Sequence, residues 1–478
     1  MMRSLRPRLN PIGACMFYRI VLSLIAALVL LASPLMANEE VQPERPDISE
    51  AIAASHNPSQ LLRVANAAVT RDQPDIAIQA MERLVEIRPH HQGYALQLVA
   101  LHAQINNLSQ AFDRLYKLSE QGMAAELDAV PGLDAMRQYP LYGHIRDAML
   151  EANDPVGNST LAAVLQRDDF SASAVEVDGD RFFVASLRTG EVISLNADGQ
   201  ATPLVDAEAG RSLGSVAGIA LDPGGEHLWL AVNDLPQHVG HNPEAQSAPM
   251  LVRIDFSGDV VRRVSLPEAD VPGQLADLVV ASDGTVYAVD QRHAAIYRAA
   301  ADDEQAELIG SAPRLTSLRA LVLADEEQKL IVADYALGLM TLDLSSMQPG
   351  LIAASETLNL GGIESLAISD RVLMAVQPGF SPERILRLEL DESFSVVSRG
   401  VVQAKALPEF MYPMRGSISN GQFVFVANSY LPILGVGGEY PEGEERAGVK
   451  LMTVPIEAVQ REGQDTPESL PPEMLRRR

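Results

Sequence analysis

The sequence predicts a multidomain chain: α-helical repeats, then an all-β part that closes as a six-bladed β-propeller. Two periodicities predict it. A 34-residue repeat with helical spacing runs through residues 58–125. Beyond it, six short apolar strands each end in one polar residue: Phe182–Ser186, Trp229–Asn233, Val286–Asp290, Leu330–Asp334, Leu373–Gln377 and Phe423–Asn428. Their polar ends fall 47, 57, 44, 43 and 51 residues apart, which marks a propeller rather than a sandwich or a doubly wound sheet.

Residues 1–37 read as a secretory signal peptide. Arg3, Arg6, Arg8 and Arg19 precede the apolar run Ile20–Leu31, and Ala37 closes a cleavage site before Asn38. The run is too short and wrongly flanked for a transmembrane helix. The mature chain is therefore expected to be exported, periplasmic or secreted, with no membrane span. Met1 and Met16 both remain open as the start. Cys15, the only cysteine, leaves with the leader, so the mature chain holds no disulfide and no thiol nucleophile. The leader also removes four Arg and no acid, which takes the formal net charge from −26 to −30. Such an acidic chain repels nucleic acid and anionic lipid, because cationic contacts to phosphate supply most of that affinity.

Residues 38–152 are expected to form the helical part. Ala65 and Val99, Ala77 and Ala111, Met81 and Leu115, and Leu84 and Leu118 each stand 34 positions apart. PDIAIQAMERLVEIRP and LSQAFDRLYKLSEQG carry apolar residues at i, i+3, i+4 and i+7, the pattern of amphipathic helices. Small Ala at matched positions lets paired helices approach closely. This stretch resembles the tetratricopeptide repeat (TPR), although Met123 stands where the second copy's closing Pro belongs. The resemblance implies a groove that binds a protein partner. A third pair over Ala124–Leu150, broken at Pro131 and Pro140, is expected to cap the stack, and helices before Pro58 the other end. Residues 153–158 (NDPVGN) read as a turn-rich linker.

Strands dominate residues 159–457. The first blade reads SASAVEV, DRFFVAS, EVISLN and ATPLVD, with turns at Asp178-Gly179 and Asp198-Gly199. The last blade supplies only three strands, ending in Lys450–Ile456. Thr160–Gln166 is expected to add the fourth as a Velcro-type closure that leaves no free edge. Residues 458–478 read as a disordered tail.

The inner strands resemble a known family. Ala276–Asp290, Arg319–Asp334 and Glu364–Gln377 look like successive blades of the gluconolactonase/regucalcin family. The resemblance implies a six-bladed propeller and, in many members, a divalent metal serving lactone hydrolysis. That family starts these strands Asn-Asp-Leu, Asn-Gly-Leu and Asp-Gly-Leu, with a Glu opening its first blade. Here the corresponding positions are Ala276, Arg319, Glu364 and, in the first blade, Ser173. Of these only Glu364 would still ligate, and a guanidinium at 319 has no lone pair and repels a cation. The family's usual metal site is thus expected to be missing.

The start of each inner strand and the end of the next strand lie at one face. Ser186, Asn233, Asp290, Asp334, Gln377 and Asn428 are therefore expected to ring the mouth that carries Asp277, Arg319, Glu364 and Arg415. Glu364 between two arginines reads either as a salt-bridge plug or as part of an Arg pocket that captures a small anion. Asp or Asn at a strand end also serves simply to cap the next turn. Two long loops, 233–249 and 428–448, cover the same mouth. The first holds Asp234, His238 and His241, which with Glu364 are the candidates for a divalent metal; no other cofactor is indicated. GRSLG (Gly210–Gly214) matches the nucleophile-elbow pattern by letter, in what reads as a hairpin-type connection.

Three functions stay open. One is an exported non-catalytic binding or scaffold protein using the helical groove and the propeller mouth. Another is a metal-dependent lactone or ester hydrolase with an altered site. The third is a binder of a small anion or sugar acid through Arg319 and Arg415. Fold alone does not choose among them.

Overall fold

The computed structural model describes residues 47–244, 247–312 and 314–458, which belong to one compact unit. The signal peptide and all but the first residue of the tail lie outside the described residues. Among the described residues no helix is long and apolar enough to cross a membrane.

Helices come first: α1 (Ile48–Ala54), α2 (Pro58–Thr70), α3 (Pro74–Ile87), α4 (Gln92–Gln104), α5 (Leu108–Glu120) and α6 (Pro140–Glu151). Proline opens α2, α3 and α6, where its missing N–H would have had no helical partner. Asn57 caps α2 by accepting from the Gln60 N–H at 3.0 Å. The starts of α2 and α4 are 34 residues apart, as are those of α3 and α5. The matched positions turn inward: Ala65, Ala77, Met81 and Leu84 share one buried cluster, and Val99, Ala111, Leu115 and Leu118 a second. Residues 124–150 differ from the expected helix pair. They form a single 3-10 turn, Leu127–Ala129, and α6. Pro140 starts that helix instead of breaking one, and Leu127, Leu133 and Met136 cover the apolar face of the stack from turns.

The remainder consists of antiparallel meanders. Their innermost strands are β1 (Ala172–Asp178), β2 (Ser215–Leu221), β3 (Leu275–Val280), β4 (Leu318–Ala324), β5 (Ser365–Ser369) and β6 (Met414–Ser419). Each innermost strand touches the next, and β6 returns to β1 through a parallel bridge between Arg415 and Ala174. A closed cycle of meanders is a β-propeller. Its core lies between the sheets; Val286–Asp290, for example, is buried throughout because neighbouring sheets cover both its faces. The outermost strand beside Val449–Pro455 is Thr160–Leu165, from the opposite end of the β region. Val156–Gly157, inside the expected linker, pairs with Ala404 and Lys405 and adds an edge strand to the β5 meander. The linker is thus tied down by ladder bonds.

One irregularity recurs at the mouth end of the innermost strands. In β4, Leu318 pairs with Asp334 and Ala320 with Ala333, so Arg319 is an extra residue. The same bulge falls on Arg415 in β6, Ser173 in β1, Ala217 in β2 and Ala276 in β3. A bulge re-aims the side chain of its extra residue, and here it does so beside the propeller axis.

Candidate functional site

Arg319, Glu364, Arg415 and Asp277 meet at the mouth. Glu364 precedes β5, fixed by its N–H donating to the Val376 carbonyl at 2.9 Å. Its carboxylate is enclosed: Arg319 Nη1 lies 3.4 Å from Oε1 and Arg415 Nη2 3.9 Å from Oε2, while the Tyr412 hydroxyl donates to Oε1 at 3.2 Å. Arg415 Nε stands 3.5 Å from Asp277 Oδ1, and Nη2 donates to the Arg319 carbonyl at 2.8 Å. Arg319 donates to Gln291 Oε1 and stacks over Tyr335, 4.9 Å from the ring centroid. Glu364, Asp277 and Arg415 are buried, whereas the Arg319 side chain keeps 27% of its surface exposed.

The surroundings retune these groups. Burial pushes the Asp277 carboxyl up to about 6, against the pull of Arg415. Burial, then the charges of Glu364 and Tyr335, raises the Tyr412 phenol well above its ordinary value, so it stays a donor. Sequence spacing did not point to Tyr412; Gln291 and Tyr335 were open to it, since each directly follows a ring residue, Asp290 or Asp334, in its blade.

The ring residues bond to backbone. Asn233 donates to the Leu275 carbonyl at 2.9 Å and accepts from its N–H at 2.7 Å. Asn428 accepts from the Lys450 N–H at 2.7 Å and donates to the Gly448 carbonyl at 3.0 Å. Asp290 Oδ1 accepts from the N–H groups of Gln274, Arg292 and His293. Asp334 receives Thr316 and Ser317 on one oxygen, Ala336 and Leu337 on the other. Gln377 donates to the carbonyls of Asn359 and Gly361, and Ser186 accepts from the Thr189 N–H. All six are buried, so their hydrogen bonds hold the rim loops in place.

In the first long loop, His241 Nδ1 sits 2.6 Å from Asp234 Oδ1, whose other oxygen accepts from the Ser247 N–H at 3.0 Å. His238 is buried and its Nδ1 accepts from the Gly240 N–H at 3.1 Å, with burial lowering its pKa. Among the described residues no three His, Cys, Asp or Glu side chains are placed to hold one metal ion. The donor set around Glu364 does not fit a divalent cation either, since the nearest charges to its carboxylate are two guanidiniums, which repel a cation and offer it no lone pair. The two long loops meet each other, with Gly437 N–H donating to the Pro236 carbonyl at 2.7 Å and Leu187, Leu235 and Leu434 packed beneath. GRSLG corrects the hairpin expectation. It ends a short helix, α7 (Ala207–Leu213), because Asp206 caps the Glu208 and Ala209 N–H groups. Ser212 spends its hydroxyl on the Glu208 carbonyl.

The helical layer docks on this same face, over the loops flanking β4 and β5. Arg384 reaches across: Nε donates to Gln377 Oε1 at 2.5 Å, Nη1 to the Gln121 carbonyl at 2.9 Å and Nη2 to the Asn359 carbonyl at 3.2 Å. Its guanidinium lies 3.5 Å over the Phe380 ring, and Phe380 packs into the core of the helices. Burial among these neutral acceptors lowers the Arg384 pKa to about 9. The Ala124 N–H donates to the Ser381 carbonyl at 2.8 Å, and Asn359 donates to the His90 carbonyl at 3.2 Å. A side chain on Gly361 would come within 2.5 Å of His90 Cβ, so glycine is what permits this close approach. Sequence reasoning missed this junction, whose partners stand 263 positions apart in the Arg384–Gln121 bond.

No family model matches the chain, and no curated protein does. Among solved structures, the PQQ-bound aldose sugar dehydrogenase of Streptomyces coelicolor is similar at 13% identity, over 63% of this chain and 100% of that one, with a TM-score of 0.41. A chain of a nidogen/laminin complex is similar at 15% identity, over 51% of this chain and 84% of that one, with a TM-score of 0.38. Neither likeness is close enough to carry function.

Proposed function

We propose that this is an exported, non-catalytic binding or scaffold protein, built from TPR-like repeats docked on a six-bladed propeller related to the gluconolactonase/regucalcin family. The observation that carries the reading is the state of Glu364. It is the one residue at the family's ligand positions that could still bind a metal, and Arg319, Arg415 and Tyr412 surround its carboxylate. An ion-pair plug takes the metal's place as the tie between the β4, β5 and β6 meanders. The 34-residue spacing of α2–α5 supports the repeat assignment, and the cycle from β1 to β6 supports the blade count. Helical layer and long loops share the mouth face, so a protein partner bound there would touch both.

Thermal unfolding with Ca²⁺, Mn²⁺, Zn²⁺ and a chelator in turn tests the reading. A native-state ligand at 100 times its dissociation constant adds about 2.7 kcal/mol. In a chain this long that is a rise of several degrees. The midpoint is expected to stay unmoved. A metal-dependent rise that Glu364→Ala abolishes would replace the scaffold with the lactone or ester hydrolase.

A second reading, capture of a small carboxylate or sugar acid, draws on the exposed part of the Arg319 side chain beside the Tyr335 ring. It predicts that gluconate raises the midpoint and that Arg319→Gln removes the rise.

A further inference from the structure

Below the ion-pair plug the propeller axis stays open. A cavity of about 550 Å³ runs between the innermost strands to the face opposite the helical layer, where the turns after β4 and β5, with Asp325, Glu326, Glu327 and Asp370, form its rim. Its wall is largely aliphatic, with Ile219, Leu321, Leu366 and Ile418 among the lining side chains. Polar groups gather at its inner end: Glu176, Asp277, Ser417 and Arg415.

Two features there point to a ligand. Glu176 accepts from the Val177 N–H at 3.1 Å with the Ser417 hydroxyl beside it, and the charges acting on it are the carboxylates of Asp277 and Asp178. A carboxylate in an apolar tube without a cation is costly. Arg415, only 6% exposed, has no hydrogen-bond acceptor for its Nε, whose ion-pair partner Asp277 Oδ1 stays 3.5 Å away. When all are ionised, Glu176, Asp277 and Glu364 face only Arg319 and Arg415, which leaves one negative charge over along the axis.

We propose that this channel binds a small organic cation carrying a hydroxyl, an amino alcohol with an aliphatic body. Its ammonium pairs with Glu176, its chain lies along the aliphatic wall, and its hydroxyl oxygen accepts from Arg415 Nε. One positive charge balances the excess, and the hydroxyl satisfies the buried donor. The site is reached from the face opposite the helical layer and shares Arg415 and Asp277 with the mouth cluster.

The test is calorimetric titration of the purified chain with 5-aminopentan-1-ol, pentylammonium, pentan-1-ol and pentanoate. Saturable binding of the amino alcohol is expected, weaker binding of pentylammonium, and none of the neutral alcohol or the anion. Glu176→Gln should weaken the amino alcohol about tenfold or more. Leu323, between Leu321 and the rim, also lines the tube, and Leu323→Trp should abolish binding by filling it while circular dichroism confirms folding. No saturable binding to the wild type overturns the proposal. So does binding that both variants keep, because that is attraction to the acidic surface.

Discussion

Arg384 Nη1 donates to the main-chain carbonyl of Gln121 at 2.9 Å, joining the end of α5 to the propeller across the junction of the two layers. The same guanidinium holds Gln377 and Asn359, so one buried side chain fixes the rim of the β5 meander and the helical stack together. A charged donor shared among neutral acceptors stabilises more than a neutral one, and losing it leaves buried carbonyls unpaired. Arg384→Met is therefore expected to cost about 2–4 kcal/mol and to uncouple the layers. Scanning calorimetry checks this: one transition in the wild type should become two in the variant. A single transition at an unchanged midpoint would show that the helical stack is held elsewhere.

The mouth cluster makes a sharper prediction. Removing one partner of a buried ion pair costs about 3–5 kcal/mol, because the other charge is left without compensation. Glu364→Gln should pay that cost, with Arg319 and Arg415 facing each other across the axis. Glu364→Gln combined with Arg415→Met should cost clearly less than the two single changes added together. Urea unfolding of the four chains gives the coupling directly. Additive losses would mean that the 3.4 and 3.9 Å contacts carry no shared energy.

The channel carboxylates give a pH signature. Burial, reinforced by Asp277, raises Glu176 from 4.5 to about 7, so the folded chain holds that proton more tightly than the unfolded chain. Its contribution is full below pH 4.5 and is lost as pH rises through about 7. Asp277, raised from 3.8 to about 6, acts the same way over a lower window. Glu176→Gln should raise unfolding free energy by about 1–3 kcal/mol at pH 8 and hardly change it at pH 4. Equal effects at both pH values would place Glu176 in contact with water.

Much of this was legible because repeats bring matched positions together. Arg319, Glu364 and Arg415 open neighbouring inner strands, and such positions converge on the axis of a closed cycle. Ala77 and Ala111 were legible for the same reason: a 34-residue spacing puts them at equivalent packing points, and both are fully buried. The bulges were not legible, since nothing in RALVLAD marks Arg319 as the residue without a partner. Nor were Tyr412 and Arg384, whose bonds to Glu364 and Gln121 join positions 48 and 263 apart instead of following a period. GRSLG misled because letters do not show that Asp206 caps a helix before it.

His90 supplies the opposing acid limb. It packs against Gly338 and Gly361 at the junction, and its Nδ1 accepts from the Leu360 N–H at 3.4 Å, a bond only the unprotonated nitrogen can make. Burial lowers its pKa from 6.5 to about 4. The folded chain therefore holds fewer protons there than the unfolded chain, so its share of stability is present above pH 6.5 and is lost as pH falls through about 4. Acid should then loosen the helical layer before the propeller. The check is proteolysis between α5 and α6 as a function of pH. Cleavage should begin near pH 4–5 in the wild type and shift to lower pH in His90→Gln, which cannot charge. Cleavage with the same pH onset in both would show that protonation of His90 does not control the junction.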